Sequence, residues 1–377
     1  MIYTDMKFPT SILIRIWGKS MRFGRLFVIL ATMVLLASAV PVAAQDSTEI
    51  TITDSRGVVT TLSGPADHVA AFGAFATTTL VDVGFLDKAV IFDATSAYSK
   101  SGIVEVQNIS ADKFVTVSAT NKDQIVQKML ALVDSGQWNV GRDVIFGYGY
   151  SYLNPVWDLL ASHGFHVITF YPNSYVGIVQ VVKDIETVVG SDHAISDQMT
   201  YVKQYIDDIL VKNGVNETSE KVTAVYMSYS SNVWKMGNGG SVTVDFINFA
   251  GGNNLGNNTA KAIPTYSVDL TAVIQLHPDF VLLDGYYTGS AEDFSALLGD
   301  STIGVYKLNK TWNSYCPDAM DGLWTVAGLF YPDYFGGEAP VASTTGSSDN
   351  TMLYVGVGAV VVVVAIAAVF LMRGRKK

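Results

Sequence analysis

Residues 174–210 read SYVGIVQVVKDIETVVGSDHAISDQMTYVKQYIDDIL. Ile178, Val181, Ile185 and Val188 recur at helical spacing up to Gly190, and beyond it Ile195, Met199, Val202, Ile206 and Leu210 lie four, three, four and four residues apart. Each series draws one apolar stripe along a helix. On either side the pattern changes to short apolar runs: Val69-Ala-Ala-Phe72, Ala89-Val-Ile-Phe92, Val144-Ile-Phe146 and Val167-Ile-Thr-Phe170 before, and Val222 to Met227, Phe280-Val-Leu-Leu283 and Val305-Tyr-Lys-Leu308 after. Runs without alternation predict strands buried on both faces, as in a mostly parallel sheet covered by helices. Thr77 to Val83, ending at Gly84, and Pro155 to Ser162, ending at Gly164, supply such helices. The expected fold class is α/β: two α/β lobes with mostly parallel central sheets, at 45–173 and 214–336, joined by long bridging helices at 174–213.

The chain of 377 residues is long enough for two cores of this size. Its net charge of −10 hides an asymmetry, because basic residues cluster at both ends. Lys7, Arg15, Lys19, Arg22 and Arg25 precede residue 45, and Arg373, Arg375, Lys376 and Lys377 close the chain, which leaves 15 basic against 33 acidic residues between them, net −18. That sign excludes a nucleic-acid surface.

The ends point to a membrane. Arg22 and Arg25, the apolar run Leu26 to Ala39 and the small residues to Ala44 form a secretory signal pattern over 1–44, and Met21 opens a complete signal by itself, so it is a second candidate start. Leu353 to Met372 is a run of 20 residues without charge, about 30 Å as a helix, which predicts a C-terminal transmembrane helix. Arg373 to Lys377 would stay in the cytoplasm as a basic tail, which places the binding domain outside the cell on a single-pass anchor. Residues 337–352, including Ser343-Thr-Thr-Gly-Ser-Ser-Asp-Asn350, read as a flexible tether.

The residues of the body resemble a known family. Ile50-Thr-Ile-Thr-Asp54 with Gly57, Val69 to Thr77 with Leu80, Gly84 and Asp87-Lys88, Leu160-Ala-Ser-His-Gly-Phe-His-Val167, Asp184 to Gly190, Asp245 to Asn254, Val273 to Phe280 and Leu323 to Pro332 follow in order. This series resembles the class III, helical-backbone substrate-binding proteins of ABC importers, receptors for iron–siderophore, haem and cobalamin-type ligands. The resemblance implies two lobes with a ligand between them, little hinge motion, and an importer permease as partner. It also implies an acidic residue on each lobe for docking to the permease. Asp123 occupies the matching position in the first lobe; in the second, Thr271 stands there and Asp269 lies two residues before it.

In open α/β lobes the cleft is lined by loops leaving the carboxyl ends of the strands. The loops expected there are rich in aromatics: Phe75, Tyr98, the run Gly147-Tyr-Gly-Tyr-Ser-Tyr152 with Tyr148, Tyr150 and Tyr152, then Tyr229, Trp234, Tyr286, Tyr287, Trp312 and Tyr315. Tyrosine and tryptophan offer broad apolar faces with a polar tip, which suits a large flat ligand. Between residues 45 and 350 the arginines are Arg56 and Arg142, so a guanidinium clamp for an anionic chelate is hard to build, and a neutral or cationic chelate fits better.

The single Cys316 excludes an intrachain disulfide and a cysteine-cluster metal site. His163 and His166 share a helix-to-strand turn where the ring direction changes, and no set of histidines and carboxylates at ligand spacing is visible, so no metal site or cofactor is assigned. No nucleophile elbow, phosphate loop or His-Glu-x-x-His motif occurs, and the chain is not expected to be an enzyme. The expected function is capture of a metal chelate, a corrinoid or an iron complex, and its delivery to an ABC importer. Two other readings stand beside it, a cell-surface structural or adhesive protein of the same fold and a metal chelatase.

Overall fold

The computed structural model describes residues 49–94, 106, 108–258, 260–261 and 263–342. The signal pattern, the tether beyond Ala342, the apolar run, the basic tail and Tyr98 lie outside them. Among the described residues no helix is long and apolar enough to cross a membrane.

The described residues open with a hairpin of β1 (Ile50–Thr53) and β2 (Val59–Leu62). Its turn holds the buried carboxylate of Asp54, which accepts hydrogen bonds from Arg56 Nε at 2.8 Å, from the backbone N–H of Val58 at 2.9 Å and from the Thr169 hydroxyl at 2.9 Å. A buried charge with every lone pair engaged is tolerable, and here it fixes the hairpin to the first sheet.

That sheet comprises β3 (Val69–Phe72), β4 (Ala89–Asp93), β5 (Phe114–Val115), β6 (Val144–Tyr148) and β7 (His166–Phe170), in the order β5-β4-β3-β6-β7 and parallel throughout. Successive side chains point to opposite faces. Ala70, Phe72, Ile145 and Val167 pack under α2 (Lys122–Asp134) and α3 (Asn154–Ser162), with α1 (Ala74–Asp82) on the opposite face. There Val69, Ala71, Phe146 and Ile168 meet α1 and the first bridging helix.

The bridge consists of α4 (Tyr175–Val189) and α5 (Ala194–Lys212). Ser174 caps α4, accepting from the Gly177 N–H at 3.0 Å, and Gly190 ends it in the left-handed region at φ 79°. The fully buried Glu186 accepts from the N–H groups of Ile195 at 2.9 Å and Ser196 at 3.3 Å, and so holds the start of α5 against α4. Tyr175 donates its hydroxyl to Met199 O at 2.9 Å, and its backbone N–H donates to Asp245 Oδ2 in the second lobe at 2.8 Å.

The second lobe contains β8 (Thr223–Ser230), β9 (Val233–Gly237), α6 (Val242–Phe249), β10 (Asn253–Asn254), β11 (Thr265–Ser267), α7 (Leu270–Leu276), β12 (Phe280–Leu283), α8 (Ala291–Leu298), β13 (Gly304–Lys307) and α9 (Ala319–Phe330). Its strands order as β11-β9-β8-β12-β13, with β10 beside β8. Pairs β8/β10, β8/β12 and β12/β13 are parallel, whereas β8/β9 and β9/β11 are antiparallel. Ser231 and Asn232, both at positive φ (54° and 60°), turn the chain back in two residues. Left-handed backbone at both turn positions matches the twist of a hairpin, and this hairpin adds the antiparallel edge of β9 and β11 to a sheet whose other pairs are parallel, as expected.

Asp321 in the first turn of α9 is pushed up to about 6 by burial and by neighbouring Asp318. A carboxyl raised in the folded state stabilises when protonated, so this contribution is present below its ordinary value of 3.8 and is lost as pH rises through about 6. Asp321→Asn should therefore raise the unfolding free energy near neutral pH by about 2 kcal/mol and change little near pH ~4, read from denaturant titrations at the two pH values.

Candidate ligand-binding site

In the first sheet the chain proceeds outward from β3 through β4 to β5, then returns to the other side of β3 for β6 and β7. The order reverses between β3 and β6, and a crevice opens at the carboxyl ends of the strands at such a switch point. Here those ends are Gly73 and the run from Tyr148 to Tyr152. A Cβ on Gly147 would come within 2.6 Å of the Trp157 ring, and one on Gly149 within 3.1 Å of Tyr171 Cβ. The two glycines let neighbouring groups close against the backbone while the alternate tyrosines project. Trp157 Nε1–H donates to Tyr148 O at 2.9 Å and holds this edge in place.

The tyrosines form a ladder. Tyr148 and Tyr150 stack with ring centroids 5.2 Å apart, Tyr150 and Tyr152 at 5.5 Å, and Tyr171 meets Tyr150 edge-on at 5.3 Å. From the second lobe Tyr315 reaches the same group. Its ring lies edge-on to Tyr148 at 6.2 Å, and its hydroxyl hydrogen-bonds that of Tyr150. Tyr315 holds a left-handed φ of 63°, a conformation that costs a bulky residue energy and persists only where the surroundings over-determine it. The next residue, Cys316, is buried in the core of the first lobe, so the segment before α9 plugs the two lobes together. Burial pushes the phenols of Tyr148, Tyr150 and Tyr315 up, which keeps them neutral hydrogen-bonding groups.

Tyr286 completes the seam. It follows β12, is exposed, bonds Ser314 through its hydroxyl at 3.2 Å, and lies close enough to Tyr148 and Tyr150 to interact electrostatically with both. Beneath it sits Asp284, half-buried, which takes a long hydrogen bond from the Tyr286 N–H at 3.4 Å and faces the hydroxyl of buried Tyr226. Burial raises the Asp284 carboxyl above its ordinary range, and these hydrogen bonds with the more distant charge of Lys307 partly offset that.

The remaining expected residues fall elsewhere. Phe75 is fully buried against Tyr148 and Phe170, so it backs the ladder from inside the core and does not line the cleft. Tyr229 and Trp234 are directly paired across the β8/β9 hairpin, where a loop was expected. With Tyr287 they gather around Phe294, Trp234 at 4.7 Å from Phe294 and 5.2 Å from Tyr287. This cluster packs on the face of the second sheet that carries Met227 and Leu283, while Tyr226 and Leu282 lie on the other face. Trp312 packs on the core beneath α9, where a Cβ on Gly322 would come within 2.9 Å of it. Tyr171, Tyr226 and Asp284 belong to the seam and were not among the expected site residues. Asp123 is exposed in the first turn of α2, and Asp269 is exposed as the N-cap of α7, accepting from the Thr271 N–H at 2.8 Å. Among the described residues no three histidine, cysteine or carboxylate side chains gather as a metal site.

No family model and no curated protein matches the sequence. Solved structures do match. A Helicobacter pylori CeuE complex with Ni-His aligns with a TM-score of 0.57 at 17% identity, over 76% of this chain and 90% of that one. A periplasmic solute binding protein from Veillonella parvula aligns at 0.56 and 13% identity, over 77% and 89%. A periplasmic heme binding protein from Pseudomonas aeruginosa aligns at 0.53 and 16% identity, over 74% and 99%. The chain has the periplasmic binding-protein fold. Identities this low establish that fold and leave the ligand to be argued from the cleft.

Proposed function

We propose that this chain is an extracytoplasmic receptor that captures a metal chelate, a corrinoid or an iron complex, and delivers it to the permease of an ABC importer. The observation that carries the reading is the tyrosine ladder at the switch point, closed from the second lobe by Tyr315 and Tyr286. The exposed Tyr152 at the end of the stack and the exposed Tyr286 across the seam offer flat apolar area with polar rims, which a disc-shaped ligand can cover. The names of aligned structures point the same way, a heme binding protein in one case and a nickel–histidine complex in another. In this reading Leu353 to Met372 anchors the receptor in the membrane with its cleft outside the cell, and no catalytic step is required.

Absorbance and native mass spectrometry of the purified full-length protein test the proposal. The expected result is one bound chelate per chain, or saturable binding of haem, a corrinoid or a ferric hydroxamate. Tyr150→Ala should weaken that binding about tenfold or more with the fold retained, since a well-buried aromatic anchor is worth about 2 kcal/mol. Absence of any ligand and of ligand-dependent stabilisation would favour a surface protein that keeps the fold without a cargo.

Docking supplies a separate test. Asp123 and Asp269 are the acidic residues proposed to meet basic sockets on the permease, a contact that sets register more than affinity. Asp123→Lys should impair uptake by cells several-fold while leaving ligand affinity unchanged. Unaltered uptake would make Asp123 a solvated helix residue.

A further inference from the structure

Asp284 at the seam is held rather than solvated. It leaves the carboxyl end of β12 at the centre of the second lobe, with its own N–H bonded to Met227 O at 2.8 Å. Its carboxylate is flanked by the Tyr226 hydroxyl and the Tyr286 N–H. Lys307, a cation whose charge reaches it, directs its ammonium to Gly289 O at 3.0 Å. On the far side of the same seam Asp82, Asp318 and Asp321 surround Cys316, so the field at the lobe boundary is negative from both sides. Tyr286, whose N–H bonds this carboxylate, joins it to the ladder, since the exposed Tyr286 phenol lies near Tyr148 and Tyr150. Tyrosine faces attract cations, and a carboxylate beside them adds a full charge.

We propose that Asp284 selects the charge of the ligand, and that the receptor takes planar macrocycles or chelates of net positive charge in preference to anionic ones. This rests on the reading of the seam as a flat-ligand site and names the class of ligand it would take. A cation laid on the tyrosine faces would compensate a carboxylate that the fold partly buries among hydrogen bonds. An anionic chelate would meet the same carboxylate unshielded, with Arg56 and Arg142 both engaged elsewhere, on Asp54 and on Asp67.

Two porphyrins of one ring framework and opposite charge provide the test, a tetra-N-methylpyridyl cation and a tetrasulfonatophenyl anion, titrated by absorbance into the full-length protein. The expected result is one cationic porphyrin per chain, bound at least about tenfold more tightly than the anion, with Asp284→Asn reducing that preference at least about threefold. Glu292→Gln, an equal loss of charge on the outer first turn of α8, should leave the preference intact and so separates a local effect from the general acidity of the chain. Thermal unfolding checks the fold of the Asp284 variant, and Asp284→Ser replaces it should the amide not fold. Equal binding of both porphyrins, or tighter binding of the anion, would overturn charge selection and leave the flat-ligand site standing. A preference unchanged in both Asp284 variants would remove the role given to this residue. Binding of neither porphyrin would overturn both the charge selection and the flat-ligand reading beneath it.

Discussion

Trp157→Ala should cost about 4 kcal/mol of stability and abolish ligand binding at temperatures where the variant is still folded. The indole is fully buried, stacks on Phe72 with centroids 6.4 Å apart, and fills the space that Gly147 leaves open. Its Nε1–H also satisfies the carbonyl of Tyr148, the residue at the base of the ladder. Truncation therefore opens a cavity under the strand and leaves a buried acceptor without its donor, two penalties that add at one place. Trp157→Phe separates them, since it restores most of the volume and none of the hydrogen bond. Denaturant unfolding with an unchanged slope would identify a loss of stability; a fall of less than about 1 kcal/mol for the alanine variant would show that the edge of the cleft does not depend on this side chain.

Glu186→Ala should cost about 3 kcal/mol, the second largest effect expected of a single substitution here. The carboxylate replaces the missing hydrogen-bond acceptors at the start of α5 and lies at the positive end of the helix dipole. Because α4 carries Glu186 and α5 carries the N–H groups, the substitution loosens one bridging helix from the other. Glu186→Gln keeps an acceptor and loses the charge, so it should recover about half of the loss. Equal stability of the alanine variant and the wild type, by denaturant unfolding, would mean that water caps α5 equally well.

The bridge was legible in the sequence because its signal is periodic and long. Of the stripe Ile195, Met199, Val202, Ile206 and Leu210, all but the half-buried Ile195 are buried on α5. The ladder was legible for a different reason. In the run Gly147-Tyr-Gly-Tyr-Ser-Tyr152 the small residues alternate with tyrosines, and that spacing lets alternate tyrosines project from one segment. The hairpin at Ser231 and Asn232 was not legible, since its turn carries no glycine to mark the left-handed positions. Trp234, expected on a loop, is instead paired with Tyr229 across that hairpin and packs on Phe294. Phe75 shows a related limit. It follows Gly73 at the start of α1, and only the direction of that helix relative to the sheet decides that it points inward. Asp284 and Tyr226 are 58 positions apart in the chain, and it takes the parallel pairing of β8 with β12 to bring them together.

The plug before α9 gives this protein a built-in gauge of its own breathing. Cys316 is the chain's only cysteine, it belongs by sequence to the second lobe, and it is buried among side chains of the first. Burial, with the carboxylates of Asp318, Asp82 and Asp321, raises its thiol, so it is unreactive while the seam is closed. A thiol reagent reaches it only while the lobes part. The rate of that single alkylation counts excursions of the closed seam, and a ligand resting on Tyr315 would slow the clock.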